Sequence, residues 1–253
     1  MLNAKTTFQL KSIERHVKLN NNTLFSEKMI HMNNYPKIKY AFFDLDGTLN
    51  DSASGIMRCF RLGLASAGLS EPDDEKLRSR VIGPPLLYSY KNFYGMDEET
   101  AKEAVRIYRA DYTVRGYKEG RIYDGVTELL QALNDAGIIC ALVTSKPEVI
   151  AKDVVAFNGL DRYFAEVVGP SYQYDDASKA TLMRTAMQRL NVTDASCVLM
   201  AGDRNYDIEG AKETGAFAVG VLWGFGSREE LENAGADMLA ESPADILIVM
   251  NSA

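Results

Sequence analysis

Phe43-Asp44-Leu45-Asp46-Gly47-Thr48-Leu49 is the stretch on which the reading of this chain turns. An apolar, β-prone run over 38–43 precedes it and gives way abruptly to acidic and glycine residues, as at the end of a buried strand. The same grammar recurs downstream. A run over 138–143 ends at Thr144-Ser145-Lys146-Pro147, a short one over 166–168 at Gly169-Pro170, one over 197–200 at Ala201-Gly202-Asp203, and one over 218–221 near Trp223-Gly224. Helical periodicity fills the intervals at 126–134, 148–157, 179–190, 208–214 and 228–234. Strands alternating with helices predict an α/β fold, a doubly wound and mostly parallel sheet with helices on both faces.

One interval breaks this rhythm. About eighty residues separate the first strand from the helix at 126, far more than one crossover needs. Within them, helical patterns occupy 56–67, 73–81, 86–94 and 98–113. The expectation is a helical cap at 55–119, inserted into a core formed by 37–54 and 120–253. Segments 51–54 and 118–123 are its two hinges. Residues 1–36 carry Lys5, Lys11, Arg15, Lys18 and Lys28 against Glu14 and Glu27, with an Asn20-Asn21-Asn22 run and no apolar h-region. This composition speaks against a secretory signal. It reads as a disordered or appended leader, with Met29 or Met32 as alternative starts, or as a weakly amphipathic helix docked on the body.

Composition narrows the function classes. The net charge of −7 leaves no basic surplus for a nucleic-acid polymer. No apolar run approaches the roughly 20 residues of a membrane span. Cys59, Cys140 and Cys197 lie far apart in apolar or helical contexts, which reads as reduced thiols in a cytoplasmic protein. His16 and His31 are the two histidines of the chain and lie outside its patterned part, so a zinc site and a histidine-based triad are both disfavoured. No nucleic-acid or membrane partner is expected, and the expected assembly is a monomer or weak homodimer.

Ligands of open α/β sheets bind beyond the carboxyl ends of the strands. Three polar clusters fall there, Asp44/Asp46, Thr144/Ser145/Lys146 and Asp203/Asp207, and Lys179 opens a helix. Each has a plain reading alone: a turn, a helix cap, a carboxylate on a helix dipole, a solvated lysine. Together at one sheet edge they form an all-oxygen set suited to Mg²⁺, with Asp44, Asp46, Asp203 and Asp207 as candidate ligands. Carboxylates so concentrated repel a phosphate unless cations and donors offset them. Thr144, Ser145 and Lys179 supply those, and Gly47 lets the backbone approach a phosphoryl oxygen. Asp44 is then the candidate nucleophile, Asp46 the acid/base, and Lys179 the catalytic cation.

These residues resemble the four motifs of the haloacid dehalogenase-like hydrolase superfamily. Asp44-Leu45-Asp46-Gly47-Thr48-Leu49 matches the first, Thr144-Ser145-Lys146 the second, Lys179 the third, and Gly202-Asp203 with Asp207 the fourth. The resemblance covers about 38–250 and implies a Rossmann-like core whose α-helical cap selects the substrate. It also implies an aspartyl-phosphate on Asp44 and Mg²⁺ held by the side chains of Asp44 and Asp203 and the carbonyl of Asp46, with Asp207 supporting or ligating. Ile82-Gly83-Pro84-Pro85, Thr144-Ser145-Lys146-Pro147 and the run 220–226 are most similar to phosphoglycolate phosphatase-like proteins, including their 5′-nucleotidase branch. Three positions depart from the pattern: Asn50, Arg204, and Lys179 without a following proline.

Dehalogenases of the superfamily share the first Asp but lack the paired metal carboxylates, so phosphoryl chemistry is expected, with a small phosphorylated metabolite as the partner. A sugar-phosphate mutase on the same core stays open, as does, in a different class, a phospho-accepting signalling module. Cap aromatics Tyr88, Tyr90, Phe93 and Tyr94 are candidates for stacking on a base, with helix core as the plainer reading. Arg80 and Leu86, beside the cap loop, are candidates for substrate contact.

Overall fold

The computed structural model describes residues 36–172 and 177–251, so the reading of residues 1–35 lies outside the described residues. The chain enters through β1 (Tyr40–Phe43) and turns into β2 (Asn50–Asp51). Four helices follow: α1 (Ala53–Ser66), α2 (Asp74–Val81), α3 (Leu86–Tyr94) and α4 (Glu98–Tyr112). It returns through β3 (Arg121–Ile122), which pairs antiparallel with β2. Then come α5 (Val126–Asp135), β4 (Ile139–Val143), α6 (Glu148–Phe157), β5 (Phe164–Val168) and α7 (Lys179–Arg189). The last elements are β6 (Val198–Gly202), α8 (Asn205–Thr214), β7 (Phe217–Val221), α9 (Arg228–Asn233) and β8 (Met238–Ala240).

Six strands form one parallel sheet in the order β5-β4-β1-β6-β7-β8. The chain winds outward from β1 through β4 to β5, then crosses back to β6 and winds the other way. β1 is therefore the point where the winding reverses, and its carboxyl end opens into the crevice such a reversal creates. The sheet has one strand more than the sequence predicts. Met238-Leu239-Ala240 is too short to show a period, and its pairing with β7 makes it a strand.

Alternation along β1 divides the core. Ala41 and Phe43 join one apolar cluster with Leu129, Leu130 and Leu133 of α5. Phe42 joins the other, with Leu182 and Met183 of α7 and Ile208 of α8. The strands are apolar on both faces because both faces are covered. The first cluster runs without a break into the four-helix insertion, where Phe60 stacks on Tyr90 with ring centroids 3.9 Å apart. Tyr90 is fully buried and its hydroxyl donates to the Phe60 carbonyl at 3.1 Å. Asp73 and Asp97 cap α2 and α4 by accepting the Lys76 and Thr100 amides. Among the described residues no helix is long and apolar enough to cross a membrane.

Candidate active site

The loop after β1 brings the first two carboxylates to the crevice. Leu45 is fully buried between them, and its carbonyl accepts the amides of Thr48, Leu49 and Asn50, closing the turn tightly. Gly47 has φ +86°, a left-handed conformation that favours glycine. A Cβ there would lie 2.2 Å from Asp203 Oδ2, so the missing side chain is what lets this loop lie against β6.

Lys179 sits at the centre of the charges. It is the first residue of α7, whose N-cap Ser178 accepts the Thr181 amide. Gly210 lets α8 pack against the lysine stem, since a Cβ there would meet Lys179 Cβ at 2.8 Å. The ammonium donates to Asp44 Oδ1 at 2.9 Å and to the Val143 carbonyl at 3.0 Å. It also forms an ion pair with Asp207 Oδ1 at 2.7 Å. Burial opposes its charge, but Asp207 and Asp44 outweigh burial and raise its pKa.

Asp203 follows β6 and is completely buried. Thr48 Oγ1 donates to its Oδ1 at 3.2 Å, and the Phe225 amide donates to its Oδ2 at 2.8 Å. Burial first, then Asp207 and Asp44, push its pKa well above the usual carboxylate range. Asp207, third in α8, accepts the Arg204 amide at 3.1 Å and is likewise raised, chiefly by burial. Carboxylate oxygens of Asp44, Asp203 and Asp207 all lie within 4.8 Å of one another.

This group fits a hard divalent cation on its own structure. Among the described residues, the four carboxylates including Asp46 outnumber the two ammonium groups, Lys179 and Lys146, that pair with them in a largely buried place. Asp207 Oδ1 is buried and faces the Lys179 ammonium alone, and Oδ2 accepts the Arg204 amide. Carboxylates left in this way are the ligands a magnesium-type ion takes.

Asp46 faces elsewhere. Its side chain is outside the three-carboxylate group, with Oδ2 2.8 Å from Lys146 Nζ. Lys146 belongs to the polar cluster Thr144/Ser145/Lys146, but the sequence assigns it no role of its own, and the structure gives it specific partners. Its side chain is only 7% exposed, its ammonium donates to the Tyr112 hydroxyl at 2.9 Å, and it lies over the Tyr112 ring at 4.4 Å from the centroid. Burial opposes its charge, but Asp46, Tyr108 and Asp44 together outweigh burial, so its pKa is raised. No spacing rule distinguishes such a lysine from a solvated one; contact with Tyr112, 34 positions earlier, does so. Thr144 is buried with Oγ1 accepting the Lys146 amide, and Ser145 is exposed at the rim.

The structure thus brings Asp44, Asp46, Thr144, Ser145, Lys179 and Asp207 to one cavity of about 270 Å³. Its roof is Ile82-Gly83-Pro84-Pro85-Leu86, from the four-helix insertion. Of the cap residues singled out from sequence, Leu86 reaches the cavity and Arg80 does not; its guanidinium lies over the Phe93 and Tyr94 rings. Tyr88, Tyr90, Phe93 and Tyr94 do not line it either, and among the described residues the tyrosines that do are Tyr108, Tyr112 and Tyr206.

The family model for haloacid dehalogenase-like hydrolases matches residues 41–221, most of the chain and every carboxylate of this site. The chain belongs to the haloacid dehalogenase-like hydrolase family. Over 197 residues it is 41% identical to a 5′-nucleotidase of Pseudomonas aeruginosa, covering 78% of this chain and 87% of that one. It is 34% identical over 200 residues to the tyrosine-protein kinase PtkA of Mycobacterium tuberculosis, covering 79% and 67%. A crystal structure described as a predicted phosphatase from Clostridium acetobutylicum matches with a TM-score of 0.77 at 39% identity, over 83% of this chain and 96% of that chain. This haloacid dehalogenase-like hydrolase is a phosphatase.

Proposed function

We propose that the chain hydrolyses a small phosphomonoester in two steps at Asp44. The observation that carries this reading is the floor of the cavity: a carboxylate held by a buried lysine, flanked by Thr144 and by two further carboxylates.

In the first step an Asp44 oxygen forms a bond to phosphorus while the bond from phosphorus to the ester oxygen breaks. Asp46 in its protonated form gives a proton to the departing oxygen. In the second step water attacks the phosphorus of the aspartyl-phosphate and the bond to Asp44 breaks. Asp46, now a carboxylate, takes the water's proton and is ready for the next cycle. Lys179 orients Asp44 and places positive charge beside the transferring group, and Thr144 offers a hydroxyl donor to its oxygens.

Asp44, Asp203 and Asp207, with the Asp46 carbonyl, would hold Mg²⁺. The ion would offset the surplus of carboxylate charge and stabilise charge on the phosphoryl oxygens. Residues 55–119 act as the cap. Their apolar contributions to the cavity, Ile56, Val81, Ile82, Pro84 and Leu86, suit a leaving group with an organic body of modest size. Nucleoside 5′-monophosphates come first among candidates, in keeping with the nucleotidase relative, and phosphoglycolate second.

A panel of nucleoside monophosphates, phosphoglycolate and small sugar phosphates, with p-nitrophenyl phosphate as reference, tests the reading. Phosphate release should require Mg²⁺ and stop on adding EDTA. Undiminished turnover in EDTA would contradict the metal assignment.

A further inference from the structure

Arg204 stands next to Asp203 yet turns its side chain away from the carboxylates. Nε donates to Glu230 Oε1 at 2.8 Å, and Nη1 donates to the Ile82 carbonyl at 2.6 Å, 122 positions earlier in the chain. Ile82 opens the loop between α2 and α3, and Ile82, Gly83, Pro84 and Pro85 roof the cavity that Arg204 itself helps to line. Gly83 has φ +109°, a backbone conformation that favours glycine. A Cβ there would come within 2.5 Å of Arg204 Nη1, so glycine is also what makes room for the guanidinium. The anchor behind the arginine is firm, because Glu230 Oε1 also accepts the Asn205 amide at 2.9 Å and ties α9 to the start of α8.

We propose that Arg204 is the positioning residue of the substrate roof: it latches 82–85 over the catalytic floor and thereby sets substrate affinity. The guanidinium fork suits the task, since it addresses a carboxylate and a carbonyl from one rigid plane. Two consecutive prolines stiffen the loop beyond Gly83, so one bond at Ile82 fixes the height of the whole roof. The Asp207 cap at the start of α8 does not depend on the side chain, because it is the Arg204 backbone amide that bonds Asp207. A role confined to folding would need neither the reach to Ile82 nor the left-handed glycine beside it.

The assignment of the cavity as the substrate site is taken from the preceding section, and the test separates the two claims. Hydrogen–deuterium exchange over 78–89 and steady-state kinetics with p-nitrophenyl phosphate are measured for wild type, Arg204→Met and Arg204→Lys. Both variants should exchange faster over 82–87, Met more than Lys, because an ammonium cannot serve Glu230 and Ile82 in the same fork. In Arg204→Met, loss of a charged hydrogen bond should raise KM about tenfold, with kcat within about twofold of wild type. The Mg²⁺ concentration giving half-maximal rate should not move. Unchanged exchange and KM in either folded variant, or a fall in kcat with KM constant, would overturn the latch. A wild type that turns over no phosphomonoester would overturn the cavity reading instead, and the exchange data would still decide the latch.

Discussion

At the scale of single residues, the site is a contest between burial and pairing. Lys179 is 3% exposed in its side chain and faces Asp44 and Asp207, so each group is tolerable only because of the others. Replacing it with methionine leaves two carboxylates with no cation between them. Arguing from buried pairs that lose one partner, Lys179→Met should cost about 3–5 kcal/mol of stability in metal-free protein. Added Mg²⁺ should return part of that, read as the midpoint of urea unfolding with and without the ion. Stability equal to wild type in both conditions would contradict the charge balance described above. The carboxylates and this lysine were legible in the sequence because each follows a strand end or opens a helix, and the sheet then brings them together. Lys146 was not legible as functional. Its partner Tyr112 belongs to the insertion, and only the packing of the insertion against the core puts the two in contact.

At the scale of elements, the loop after β7 does for Asp203 what the loop after β1 does for Asp44. Trp223 Nε1 donates to the Thr48 carbonyl at 2.9 Å, and the Thr48 hydroxyl donates to Asp203 Oδ1. The Phe225 amide holds the other oxygen. Gly224 and Gly226 permit the approach, since a Cβ on either would fall within 2.3 Å of an Asp203 atom. Trp223 is the one tryptophan of the chain, so its emission reports on this clasp. Titration with Mg²⁺ should change that emission saturably in wild type. Asp203→Asn should abolish the response while leaving the emission of unfolded protein unaltered, and an identical titration in the variant would contradict the assignment. Gly47→Ala belongs to the same scale. It meets both a left-handed φ and a 2.2 Å contact, so a loss of at least about 2 kcal/mol in thermal or chemical unfolding is expected. Element types were readable because burial on both faces leaves continuous apolar runs. Element ends were not: β5 begins at Phe164 and α8 at Asn205, each earlier than periodicity indicates, because pairing with β4 and the capping of Arg204 by Asp207 decide them.

At the scale of the molecule, the apolar cluster passes from the sheet into the helical insertion without a gap. Two cysteines sample its two ends. Cys59 lies in α1 and Cys140 in β4, and burial pushes both thiols up to about 12. Near pH 8 both should therefore react slowly with a thiol reagent in the folded protein, since the thiolate is the reactive form. A continuous core predicts that urea releases them over the same concentration range. Release of Cys59 well before Cys140 would show instead that the insertion unfolds on its own. The doubly wound architecture could be read from alternation alone. The strand order could not, since no local pattern says that β6 returns to the far side of β1. That return is what completes the site, because it carries Asp203 and Asp207 to Asp44.

The central claim is that Asp44 itself takes the phosphoryl group. It is tested most directly by quenching the enzyme in acid during turnover and reducing any acyl phosphate with borohydride, followed by peptide mass spectrometry. The account predicts homoserine at position 44, formed only when phosphomonoester and Mg²⁺ are both present, and lost in Asp44→Asn together with all but a trace of activity. Homoserine at another position, or an Asp44→Asn protein that still turns over substrate at a substantial rate, would contradict it.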